Sequence, residues 1–225
     1  KGEKFMANDK TRRLTMAAMF AALAYMVMLV GRIPITSVDF LKYDPKDVIL
    51  VISGFVLGPM PCLAITTVVA LIEMLTVSST GPIGLLMNVL SSAAFACPAA
   101  AIYRRRHDLR GALIGLGAGV VCMTGVMLLW NYFVTPLYMG YPRAAVAAML
   151  PTVFLPFNLV KALINAALTV LIYKPVSRAL KAAGLMPHSN AVSAPPRKCA
   201  AGTAIIAALV LISCVFAVLI MRGIL

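Results

Sequence analysis

Long apolar runs separated by short polar punctuation dominate the chain, and their lengths predict its elements. Residues 14–31, 62–77, 83–102, 111–133 and 152–173 are apolar stretches, each close to the roughly 20 residues a membrane-spanning helix needs. The first is too long for the apolar core of a signal peptide, and Gly31-Arg32-Ile33-Pro34 is a poor cleavage site, so it reads as a retained helix. A shorter apolar helix is predicted over 45–57. There Asp44 serves as N-cap, Pro45 takes the first helical position, and Asp47 sits beside the positive end of the dipole. It stops at the breaker run Gly58-Pro59-Met60-Pro61. Ser78-Ser79-Thr80-Gly81-Pro82 forms a second turn, and 134–151 a loop between the fifth and sixth helices. A Pro-, Ser- and Ala-rich linker precedes a last apolar stretch, 200–221, long enough to cross once more.

The expected class is an all-α membrane protein: a six-helix transmembrane bundle plus an extra C-terminal transmembrane helix. Its divisions are a cytoplasmic segment 1–13, a membrane domain 14–185, a flexible linker 186–199 and the extra helix 200–225. Composition agrees. Of 225 residues, 62% are hydrophobic and 12% charged, with a mean hydropathy of +0.96. Soluble domains are nearer half apolar and a quarter charged, which excludes a soluble globular fold and leaves no room for a soluble catalytic domain.

The net charge of +13 changes the picture through its placement. Every acid lies at or before Asp108, and the bases cluster between apolar runs. With the N-terminus inside, fourteen bases fall on the cytoplasmic side and five outside, with Lys161 in the membrane. That is the positive-inside pattern, not a nucleic-acid-binding stripe. No nucleic-acid partner is expected; membrane lipid is.

Two ionisable groups lie within apolar segments, where charge is expensive and marks candidate sites. Glu73 is near a helix end and reads as reaching the interface. Lys161 follows Asn158 at i−3 and precedes Asn165 at i+4, so three polar groups share one face of an otherwise apolar helix. Such a stripe suits a ligand; interhelical hydrogen bonding is the alternative. Asn131, between Trp130 and Tyr132, closes the fifth helix on the same outer side. Asn131, Asn158 and Lys161 are expected to converge on a flat, amphipathic, mostly neutral molecule. Ala17 and Ala21, with Ala18 and Ala22, give the first helix small residues at four-residue spacing, which allows close helix approach.

The five cysteines form no CxxC pair, and both histidines lie in connectors. No metal site, cofactor or catalytic residue is expected, and an enzyme is not. No GxxxxGK[ST] phosphate loop occurs, so ATP hydrolysis would have to come from partners.

Several segments, in order, resemble the S-components of energy-coupling factor (ECF) vitamin transporters, in particular the riboflavin-binding type. They are the alanine-rich first helix, Phe40-Leu41-Lys42-Tyr43-Asp44 with Asp47, Gly54 through Pro59, Pro98 through Tyr103, Asn131-Tyr132-Phe133, and Phe157-Asn158-Leu159-Val160-Lys161. The resemblance implies a six-helix bundle with an outward pocket capped by the loop after helix one. It implies that Asn131, Asn158 and Lys161 hold the polar edge of the isoalloxazine ring and that Phe40 and Leu41 touch ligand. It also implies that Ala17 and Ala21 meet a transmembrane coupling subunit (EcfT), with two ATPase subunits (EcfA) energising uptake of riboflavin across the cell membrane. Another vitamin or a flavin relative such as FMN remains open as the ligand, and a purely structural bundle partner is the alternative of another class. The helix after Lys198 is an addition to the six-helix pattern, and Glu73 in helix three stands where the resemblance implies a more basic neighbourhood.

Overall fold

A computed structural model of the protein describes residues 2–34, 41–78, 80–182 and 197–221. Phe40 and nearly all of the expected linker lie outside the described residues. Helix α1 runs Gly2–Gly31 and leads into a two-residue strand, β1 (Ile33–Pro34), paired antiparallel with β2 (Lys42–Tyr43). The chain then forms α2 (Lys46–Leu57), α3 (Pro59–Thr76), α4 (Gly81–Arg105) and α5 (Leu109–Phe133). After α5 come α6 (Thr135–Met139), α7 (Arg143–Met149), a π-helical turn (Leu150–Phe154), α8 (Leu155–Ala182) and α9 (Arg197–Met221). The segment 134–151, expected as a loop, is thus mostly two short helices, and Pro136 and Pro142 sit where a helix start tolerates proline.

Among the described residues, five segments are long and apolar enough to cross a membrane: Lys10–Gly31, Pro59–Thr76, Gly81–Arg105, Leu109–Leu137 and Arg143–Tyr173. The protein is therefore a multi-pass, all-α membrane protein.

At 12 residues, α2 is about 18 Å long, well under the ~30 Å hydrocarbon core. Ten of its twelve residues are buried, as expected for a helix apolar on every side. It is the pillar of the bundle, packed by α1, α3, α4 and α8. Pro45 precedes it without a side-chain cap, and Gly58, at φ 95°, ends it in a conformation that favours glycine. Asp44 is therefore not the N-cap the sequence suggests; its carboxylate is drawn into ion pairs described below.

The tightest interface is α4 on α5. A Cβ on Gly115 would sit 2.8 Å from the Ala99 carbonyl oxygen, so only glycine permits this approach. At the basic end, Tyr103 and Tyr173 hydroxyls lie 2.8 Å apart and tie α4 to α8. Helix α9 packs mainly along α8, burying Ala207 and Cys214.

Candidate functional site

Charge is concentrated at the end of the bundle opposite the arginine-rich connector. Arg32 follows α1, Asp44 follows β2, Lys46 and Asp47 open α2, Glu73 sits in the last turns of α3, and Lys161 projects from α8. Arg32 Nη2 lies 2.8 Å from Glu73 Oε1, and its Nε 3.2 Å from Asp44 Oδ1. Lys46 bridges Glu73 and, at 3.9 Å, Asp44. Lys161 Nζ lies 3.9 Å from Asp47 Oδ2. Three cations thus face three carboxylates, and the interior is charge-balanced, as buried charges must be.

Hydrogen bonds extend the network across four helices. Ser92 of α4 donates to Asp47 Oδ1 at 2.5 Å, and Asn165 of α8 donates to Asp47 Oδ2 at 3.3 Å. Tyr43 donates to Asn165 Oδ1 at 2.9 Å. Burial, then Asp47 and Asp44, push the Tyr43 phenol above its ordinary pKa, so it remains a donor across physiological pH. Asp47 is the hub: one carboxylate orients α2, α4 and α8 around Lys161.

A small cavity of about 40 Å³ opens against this network. Its wall includes Lys161 and Asn158 of α8, Leu41 of the loop after α1, Arg32, Asp44 and Met87. One N–H of Asn158 is held by the Phe154 carbonyl oxygen at 2.8 Å, and among the described residues no donor reaches its Oδ1. Asn158 therefore offers an acceptor one turn from the Lys161 donor. Small-molecule sites usually measure ~300–1,000 Å³, so a ring system is admitted only when lining side chains move aside. Leu41 and the unbranched Met87 and Met127 are the apolar groups in the wall able to do so.

Of the residues the sequence singles out, Asn158, Lys161 and Leu41 share this wall. Asn131 does not. It is fully buried, donates to the Met127 carbonyl oxygen at 2.7 Å and accepts from Thr135 at 2.9 Å, one turn from Met127 in the wall. Ala21 is buried and Ala17 half-buried against the core, while Ala18 and Ala22 face outward. Glu73, expected to reach the interface, is instead fully buried and doubly ion-paired.

Single-residue reasoning missed Arg32, Asp44, Lys46 and Asp47. Their signal was collective: opposite charges bracketing the start of a wholly apolar helix, with Glu73 left over in the next one.

The curated relatives include the riboflavin transporter RibU of Staphylococcus aureus (strain TCH60), 28% identical over 187 residues, covering 80% of this chain and 98% of the relative. They also include the riboflavin transporter FmnP of Bacillus subtilis (strain 168), 25% identical over 174 residues, covering 73% and 91% respectively. A solved structure described as "Structure and mechanism of the S component of a bacterial ECF transporter" superposes with a TM-score of 0.66 at 27% identity, covering 76% of this chain and 99% of that one. The family model for the ECF transporter, substrate-specific component, matches residues 12–173, stopping short of α9. The chain belongs to the family of substrate-specific components of ECF transporters.

Proposed function

We propose that this chain captures riboflavin outside the cell and delivers it inward as the S-component of an ECF importer. The observation that carries the reading is that Asn158, whose Oδ1 no donor reaches among the described residues, and the Lys161 ammonium share one wall. The pyrimidine edge of an isoalloxazine presents an N–H between two carbonyls, which an acceptor beside a donor complements. Phe157 and the methionines supply the apolar faces a flat ring needs. The names of the curated relatives support the same ligand. Asn131 contributes by fixing the end of α5 behind Met127, and Phe40 and Leu41 contribute from the loop.

The N-terminus is cytoplasmic in this reading, which puts the charged network and its cavity outside and the arginine-rich connector inside. Energy comes from partners: a coupling subunit (EcfT) in the membrane and two ATPase subunits (EcfA). The coupling subunit docks on the alanine stripe of α1. The resemblance points to Ala17 and Ala21; Ala18 and Ala22, at the same spacing, are the pair turned outward. The test is uptake of labelled riboflavin into vesicles holding this chain with its coupling and ATPase subunits. ATP-dependent riboflavin accumulation that excess thiamine does not suppress is expected. Thiamine or biotin uptake in place of riboflavin would overturn the ligand assignment.

A further inference from the structure

We infer that a second cavity, at the end of the bundle opposite the charged network, holds the headgroup of an anionic membrane lipid. It measures about 490 Å³ and is lined by Arg13, Arg104 and His107 together with apolar residues of the α2–α3 turn, among them Phe55, Leu57 and Met60. That volume lies in the ~300–1,000 Å³ range of small-ligand sites. The three basic side chains come from separate places: Arg13 from α1, Arg104 from the last turn of α4, and His107 from the connector that follows. Only the fold brings them to one space.

Their charge is uncompensated. In the outer network three cations meet three carboxylates, whereas among the described residues no carboxylate pairs with Arg13, Arg104 or His107. Asp108, the nearest acid along the chain, turns Oδ1 to the Gly111 N–H at 2.6 Å as the cap of α5. A cleft lined by one sign of charge, with apolar walls, draws an ion of the other sign.

Two of the bases are also held in place. Arg13 Nη2 lies 3.4 Å from the Leu57 carbonyl oxygen, which steers the guanidinium to the end of α2. His107 packs edge-on against Tyr103, with ring centroids 5.4 Å apart, and Tyr103 is buried and tied to Tyr173. The guanidinium forks match the oxygens of a phosphodiester, and the imidazole adds a further donor.

The apolar side of the cavity favours a lipid over a soluble phosphate. Met60, in the wall, begins an exposed row on α3 that continues through Leu63, Leu71 and Leu75 on one side of the helix. A phosphate held by the two arginines leaves its acyl chains against this row. The orientation proposed above puts the cavity on the cytoplasmic side, where leaflets carry anionic lipid and basic pockets between transmembrane helices suit its headgroups. The lipid then bridges α1 and α4 across the end of α2.

The test is native mass spectrometry of the full chain in detergent, with phosphatidylglycerol and with phosphatidylcholine of the same acyl chains. Phosphatidylglycerol is expected to bind at least about tenfold more tightly, as one charge-assisted hydrogen bond requires. Arg13→Gln and Arg104→Gln are each expected to weaken it about tenfold and to move phosphatidylcholine by less than about twofold, with melting temperatures near that of the parent. Arg110→Gln, which removes an exposed arginine outside the wall, is expected to change either lipid by less than about twofold. Equal affinities for the two lipids in the parent protein overturn the proposal and leave an acidic side chain of a partner subunit as the occupant; this arm needs no variant. Equal losses in all three arginine variants also overturn it, since they report diffuse charge. Displacement of phosphatidylglycerol by excess inorganic phosphate would assign the cavity to a soluble phosphate and overturn the lipid.

Discussion

Removing the Lys161 ammonium should do two separable things, and the structure says how to separate them. Lys161 Nζ sits 3.9 Å from Asp47 Oδ2, and Asp47 is fully buried. At an effective dielectric near 20, a pair at that distance attracts by about 4 kcal/mol. Lys161→Met therefore strands a buried carboxylate, a perturbation that costs about 3–5 kcal/mol. Ser92 and Asn165 still donate to Asp47 and hold the cost toward the lower figure. About 3 kcal/mol corresponds to a fall of roughly 6–12 °C in melting temperature for a domain of this size. Riboflavin affinity should fall as well, by about 10- to 100-fold, the worth of one charge-assisted hydrogen bond. Combining Lys161→Met with Asp47→Asn removes both charges, so the melting temperature should return to within a few degrees of the parent while affinity stays low. The assay is a thermal melt of the four detergent-purified proteins of the cycle with riboflavin dialysis alongside. A double variant that melts at the additive temperature would refute the ion pair, and one that regains affinity would refute a direct role for Lys161.

Two further predictions probe the network and the docking face. Glu73→Gln leaves Arg32 and Lys46 sharing only Asp44 and should lower the melting temperature by a similar amount, with Lys46→Met added to it restoring much of the loss; a shift below about 2 °C would mean the three-way contact contributes nothing. Ala18→Trp and Ala22→Trp should abolish transport with the partner subunits yet leave riboflavin binding within about twofold, whereas Ala21→Trp, being buried, should destabilise the bundle by ~1–3 kcal/mol; unimpaired transport in both outward variants would move the docking face elsewhere.

The membrane helices were legible because apolar length is a one-dimensional signal. So was α2, whose proline and glycine punctuation survives in the structure to within a residue or so. The cap at Asp44 was not, because local rules weigh a carboxylate against its own backbone, and here Arg32 and Lys46 outbid the helix end. Glu73 was misread for a related reason. Its distance from the helix terminus is visible in the sequence, but the Arg32 that follows another helix is not. Lys161 and Asn158 could be paired from the sequence because i, i+3 spacing on an apolar helix is local, whereas Asp47, which faces Lys161, joins residues 45 and 118 positions away in sequence. Asn131 shows the limit of the same reasoning: a buried amide with helical spacing to Met127 and Thr135 satisfies its own helix and stands behind the wall.

The most direct test of flavin capture uses the single tryptophan. Trp130 lines a recess with Thr80 and Met87, both of which also line the cavity beside Lys161, so a flavin bound there lies within quenching range. Ligand-free protein in detergent is titrated with riboflavin while Trp130 emission is followed, with thiamine and biotin as controls. Saturable quenching by riboflavin alone is the predicted result. Absence of saturable quenching, together with no retention of riboflavin on dialysis, would contradict flavin capture at this site.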